Sequence, residues 1–351
     1  MLRSVTLASM ALALGAMLGQ VSADNGDQEL LATAQQLFKP LPADFATPQR
    51  MLTAEKVALG RQLFFEPRAS LDGTMSCAAC HQASLYGTDG IPKSFGVQNR
   101  AIPRNAATVL NTAGQFVQHF GGNRQDVEEQ AMRALLSPLA YGNPDYATAM
   151  AHLKAIPGYA PLFAAAFPGT ADPITAENWA TAIGAYERTL VSAGAFDRYL
   201  GGDTAALPPQ ARRGLGTFIA TGCAGCHNGA LVGGTMFQRF GVTTDYWTET
   251  HSTVIDKGRF VDTKNDADLY LFKVAPLRNI TRTPPYFHDG SVATLPEAVR
   301  VMAKTQLGKD LEAADIADII AFLDSLTGEI PQHFREAPIL PPGSFVALPA
   351  K

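Results

Sequence analysis

Apolar residues recur with a helical period over most of this chain. From Glu312 to Leu326, residues Ile316, Ile319, Ile320, Leu323 and Leu326 share one face, which predicts an amphipathic helix. Thr294-Leu295-Pro296-Glu297 reads as a capping box with proline in the first turn, opening a helix that runs through Met302. Thr175 caps another long segment carrying Trp179, Ile183, Tyr186 and Leu190. Arg124 to Leu136 and Tyr146 to Ile156 are further helix candidates, and alternating strand patterns are few and short. The pattern predicts a mainly α protein. A faint duplication runs through it: Val57-Ala58-Leu59-Gly60-Arg61-Gln62-Leu63-Phe64 is echoed by Arg213-Gly214-Leu215-Gly216-Thr217-Phe218. The Gly201-Gly202-Asp203 turn, with Pro208-Pro209 beyond it, marks the boundary between two units, 24–200 and 201–351.

The first 23 residues stand apart. Arg3, the apolar run Val5 to Leu18 and the small residues Val21-Ser22-Ala23 form the pattern of a secretory signal peptide, too short for a membrane anchor. No later stretch is long and apolar enough to span a bilayer, so no membrane anchor is expected once the leader is cleaved. The formal net charge is −4 and no basic run is present, which argues against a nucleic-acid partner.

The chemistry lies in two copies of Cys-x-x-Cys-His. Cys77-Ala78-Ala79-Cys80-His81 and Cys223-Ala224-Gly225-Cys226-His227 use all four cysteines. In this pentapeptide two thioethers fix a c-type haem and the adjacent histidine ligates its iron. Four thiolates of a zinc ribbon are an alternative, although ribbon pairs usually lie closer together. Disulfides are another, but they leave the histidines without a role. Each motif follows one of the echoed segments, as in small c-type cytochromes. Two cytochrome c-like haem domains in one exported chain are expected, because c-type haem is attached outside the bacterial cytoplasm.

The strings around these motifs resemble the bacterial dihaem cytochrome c peroxidase family, which includes the dihaem enzyme that matures the cofactor of methylamine dehydrogenase. Matching stretches include Pro103-Arg104-Asn105-Ala106-Ala107-Thr108, Asp126 to Ala131, Phe272 to Asn279, Thr283 to Gly290 and Met302 to Leu307. The resemblance implies two covalently bound haem c groups with divided labour. The haem on His81 would be peroxidatic, with Gln130 in its distal pocket. The haem on His227, with Met302 as its other ligand, would take electrons from a small periplasmic cytochrome c or cupredoxin; a thioether ligand raises the potential. A calcium ion between the domains would be held by the Asn105 side chain and the carbonyls of Thr283 and Pro285, oxygen donors suited to that cation. Family members often form homodimers.

Three positions depart from the family pattern. Val97 stands where many members carry a histidine that blocks the peroxidatic iron until the other haem is reduced, so reductive activation is not expected. His119, the nearest other histidine, is expected at the surface or behind the site. Ala140 replaces a glutamate in Pro138-Leu139-Ala140-Tyr141-Gly142. Peroxide cleavage needs a group that takes one proton and returns it to the leaving oxygen, which glutamine cannot do; Glu128 and Glu129 are the nearby candidates. Phe120 replaces the tryptophan between the haems and is much harder to oxidise. Trp179 and Trp247 are expected to pack.

Together these features predict a periplasmic peroxidase that reduces hydrogen peroxide to water. A dihaem oxidase, storing two oxidising equivalents on the haem pair to modify a protein substrate, is the second reading; Met302 and Phe120 count against it. A non-catalytic electron carrier or peroxide sensor is the third, and Ala140 is its support.

Overall fold

The computed structural model describes residues 26–346, and the leader expected at 1–23 lies outside them. Among the described residues no helix is long and apolar enough to cross a membrane. The fold is mainly helical, with one two-stranded sheet among the described residues.

Two helix pairs with the same device at their crossing organise it. Helix Ala54–Phe64 starts at Thr53, whose hydroxyl accepts from Lys56 N, and carries Glu55 in its first turn and Arg61 in its last. It crosses Ala176–Glu187 at Gly60, where a Cβ would lie 1.8 Å from the Ala182 carbonyl oxygen. Helix Pro209–Thr221 crosses Ala313–Ser325 at Gly214, where a Cβ would lie 1.8 Å from the Asp318 carbonyl oxygen. In each pair a phenylalanine four residues after the glycine, Phe64 or Phe218, enters a separate apolar cluster. The echo in the sequence is thus an echo in packing.

The first cluster gathers Leu59, Leu63 and Phe64 with Trp179, Ile183 and Tyr186, the face predicted behind Thr175. Thr175 accepts from Asn178 N as a cap should. Helix Val127–Ala134 lies alongside, and Trp179 Nε1 donates to the Ala131 carbonyl at 3.3 Å. The second cluster centres on Phe322, with ring centroids 5.2 Å from both Phe196 and Phe218. A third, aromatic cluster of Phe240, Tyr246, Phe272 and Tyr286 lies against helix Leu295–Leu307. The strands Phe237–Arg239 and Leu271–Lys273 pair antiparallel, with Gln238 opposite Phe272.

The first and last segments of the described residues cross over. The helix at 26–37 leads Leu31, Ala34 and Phe38 into the second cluster. The C-terminal segment returns to the first: Phe334 is buried there, and Arg68 donates to the carbonyls of Pro341 and Gly343 at 2.9 and 2.8 Å. One local expectation fails. Thr294 precedes helix Leu295–Leu307, but its side chain makes no capping bond. Glu297 turns instead to Arg300, 2.8 Å away, because a guanidinium one turn on is a stronger partner than a backbone N–H.

Candidate haem sites

The first motif is a single helical turn, Cys77–Cys80, closed by a bond from His81 N to the Cys77 carbonyl at 2.9 Å. His81 Nδ1 lies 3.0 Å from the Gly87 carbonyl oxygen. Burial lowers the pKa of this imidazole, so the ring is neutral. An acceptor facing Nδ1 assigns the proton there and leaves the Nε2 lone pair unclaimed, as an iron ligand needs. Gly87 is buried with φ +76°, and a Cβ on it would lie 3.0 Å from both Thr108 Oγ1 and Val109 N. Cys77 Sγ lies 3.4 Å from the Tyr141 hydroxyl, and burial pushes its thiol up to about 12.

The second motif follows helix Pro209–Thr221 through Gly222, a left-handed cap with φ +104°. His227 N donates to the Cys223 carbonyl at 3.0 Å. Burial carries the His227 ring down to about 4, so it too is neutral, and its Nδ1 is buried without a hydrogen-bond partner. Cys223, Cys226, His227 and Met302 all line one cavity of about 280 Å³. Met302 reaches it because Leu295, Ala298, Val299, Met302 and Gln306 recur at helical spacing and present one face of Leu295–Leu307 to the cavity. Phe218, Ile319 and Leu323, from the crossed pair, line it as well.

The four cysteines do not converge. Cys77 packs against the first cluster and Cys223 against the second, and none is in a disulfide. Among the described residues no three His, Cys, Asp or Glu side chains are grouped to hold a metal ion. A zinc site shared by the four thiolates is thereby set aside. Two neutral histidines, each beside a thiol pair, and an apolar cavity with a thioether on its wall fit haem c.

The remaining residues fall into groups. Asn105, Thr283, Pro285, His119 and Phe120 lie on the same cavity as the second motif. The peptide bond between Pro284 and Pro285 is cis. Asn105 Nδ2 donates to the Ile91 carbonyl at 2.9 Å. His119 stands at the exposed edge of that cavity, with Nδ1 2.8 Å from Asn123 Oδ1, and burial of its ring carries it down to about 4. Trp179 packs edge-on against Tyr141, and Trp247 lies between Tyr246 and Tyr270. Gln130 is half-buried on helix Val127–Ala134 and does not line this cavity. Val97 and Ala140, distant in sequence, are neighbours: Val97 N donates to the Ala140 carbonyl at 3.0 Å, and Val97 is fully buried.

Neither glutamate proposed as a proton carrier is free. Glu128 is held by both arms of Arg188 at 2.9 Å, and Glu129 accepts from Gln125 N at 2.7 Å and pairs with Arg133. Sequence reading missed Glu187. It is 9% exposed, and burial, with the Glu128 charge adding, pushes its carboxyl up to about 8; Arg188 pulls the other way. Its charge also bears on Cys77, so it stands near the first attachment point. Only the pattern of an acid beside an arginine late in an apolar helix hinted at it. Unfolded, this carboxyl titrates near 4.5, so between about 4.5 and 8 the folded chain keeps a proton that the unfolded chain has lost. Stability therefore falls as pH rises through that window. Glu187→Gln flattens that fall, read as urea midpoints measured across the same range; an unchanged slope would place the ionised carboxylate in a solvated setting.

A family profile described as di-haem cytochrome c peroxidase matches residues 54–205. The cytochrome c551 peroxidase of Pseudomonas aeruginosa is 39% identical over 88% of each chain. The chain belongs to the di-haem cytochrome c peroxidase family. Cytochrome c551 peroxidase of Nitrosomonas europaea is 37% identical over 97% of this chain and 96% of that one. Methylamine utilization protein MauG of Methylorubrum extorquens is 34% identical over 88% of each. Among solved structures, a MauG-like protein associated with microbial copper homeostasis superposes with a TM-score of 0.75 at 28% identity, covering 86% of this chain and 97% of that chain. The family is one of oxidoreductases, and membership implies two haem c groups.

Proposed function

We propose that this chain is a periplasmic dihaem peroxidase that reduces hydrogen peroxide to water with electrons from a small cytochrome c or cupredoxin. The observation that carries this reading is one cavity bringing together Cys223, Cys226, His227 and Met302, with His81 separately held through Nδ1 on the Gly87 carbonyl. Haem iron supplies the one-electron steps and the O–O bond cleavage when bound.

The chain's residues do the rest. His81 binds the peroxidatic iron through Nε2 while Gly87 fixes its ring. Gln130 orients peroxide by hydrogen bonding. Val97 and Ala140 place apolar side chains, neither able to ligate iron, where the family pattern has a histidine and a glutamate. Met302 raises the potential of the second haem, which suits entry of electrons from a donor. Met302 and Phe120 support peroxide reduction over the oxidation of a protein substrate. Asn105 Oδ1 and the carbonyls of Thr283 and Pro285 are the proposed calcium donors. A site built from one amide and two carbonyls keeps waters and binds weakly.

The test is the spectrum of the all-ferric protein: one high-spin haem and one low-spin haem with the methionine charge-transfer band, the latter lost in Met302→Ala. Two low-spin haems before reduction would contradict the role given to Val97. A methionine band that survives Met302→Ala would place the ligand elsewhere.

A further inference from the structure

Lys273 carries a charge that, among the described residues, no acidic side chain answers. It ends the strand Leu271–Lys273, is 8% exposed, and its main-chain N donates to the Phe120 carbonyl at 2.7 Å. Its ammonium donates to Gln115 Oε1 and, at 3.0 Å, to the Val117 carbonyl. Both acceptors are neutral. Gln115 is fixed in turn by Nε2 donating to Thr112 Oγ1 at 2.9 Å, and Thr112 Oγ1 donates to Gln118 Oε1 at 2.9 Å. This buried polar group holds the lysine in position without neutralising it. An ammonium has three N–H donors, and two are spent.

Lys273 lines the same cavity as His227 and Met302. Arg278 is the other Lys or Arg on that wall among the described residues, and its fork is committed to Asp197 at 2.7 and 2.9 Å. An unpaired buried ammonium is costly and normally carries a partner or loses its proton. Burial with no opposing charge takes this lysine down to about 7. Haem c is an apolar ring with two carboxylates, so a mostly apolar cavity with one unanswered cation has a matching ligand group.

We propose that Lys273 binds a carboxylate of the haem attached at Cys223 and Cys226, completing an ion pair that the protein builds only halfway. The inference rests on the haem reading of this cavity. A positive charge there stabilises the reduced haem and raises its potential, so Lys273 and Met302 act in the same direction.

The test compares Lys273→Met, Lys273→Gln and Lys273→Arg proteins, each checked for two covalent haems per chain by pyridine haemochrome. Redox titration and resonance Raman spectra of the propionate modes are the readouts. Lys273→Met and Lys273→Gln lower the midpoint of the methionine-ligated haem and shift its propionate modes, whereas Lys273→Arg stays near the parent. Loss of that haem from both neutral variants, with retention in Lys273→Arg, supports the same conclusion. Unchanged midpoint and propionate modes with both haems attached would overturn it, as would a shift confined to the other haem. A parent protein with one haem or none would fail the haem reading itself, before any variant is compared.

Discussion

Exchanging His81 for glycine lowers peroxide turnover by more than about 100-fold and leaves the methionine-ligated haem spectrum in place. Substituting groups that merely orient a metal ligand costs about 10- to 100-fold, so loss of the ligand itself exceeds that range. The two motifs are built on different apolar clusters, which is why damage at His81 stays local. Gly87→Ala is the graded version. Its Cβ would press on Thr108 Oγ1 and Val109 N at 3.0 Å, in a backbone conformation that costs a side chain extra. The carbonyl that holds His81 Nδ1 then shifts, and turnover drops about 10- to 100-fold with both haems retained. Steady-state rates and haem content measured on the same samples separate the two effects. Equal turnover in His81→Gly and the parent would move the peroxidatic site elsewhere.

Asp197→Ala destabilises the chain by about 3–5 kcal/mol, the usual cost of leaving a buried charge without its partner. Arg278 is 2% exposed and places both arms on this carboxylate. Asp197 also accepts from Leu41 N at 2.8 Å and Gly194 N at 2.7 Å, so one side chain ties three segments. Burial lowers the Arg278 pKa and Asp197 works against it. Urea unfolding of the haem-loaded protein measures the loss, and Asp197→Asn recovers only part of it, because its one amide oxygen can accept from Leu41 N or Gly194 N but not both, and the charge is gone. A loss below about 1 kcal/mol in Asp197→Ala would mean the pair is solvated like a surface bridge.

Helix positions and attachment residues are legible in the sequence because both are local. Thr175 caps the helix it precedes, Ile319 and Leu323 face the core, and each Cys-x-x-Cys-His forms a compact turn. The failure at Thr294 is a competition between neighbours: Glu297 has Arg300 within reach. What stays hidden joins distant segments. The Val97–Ala140 bond, the hold of Arg68 on Pro341 and Gly343, and the setting of Lys273 between Gln115 and Val117 leave no periodic trace. Glu128 looks available as a proton carrier from sequence alone, yet Arg188, from the end of the facing helix, occupies it.

The most direct test of the central claim is steady-state oxidation of a reduced small cytochrome c by hydrogen peroxide, begun from the all-ferric protein. With Val97 buried beside Ala140 and no histidine at that position, turnover starts at once, without a lag and without pre-reduction. Turnover that begins only after partial reduction, or none from a protein carrying both haems, would contradict it.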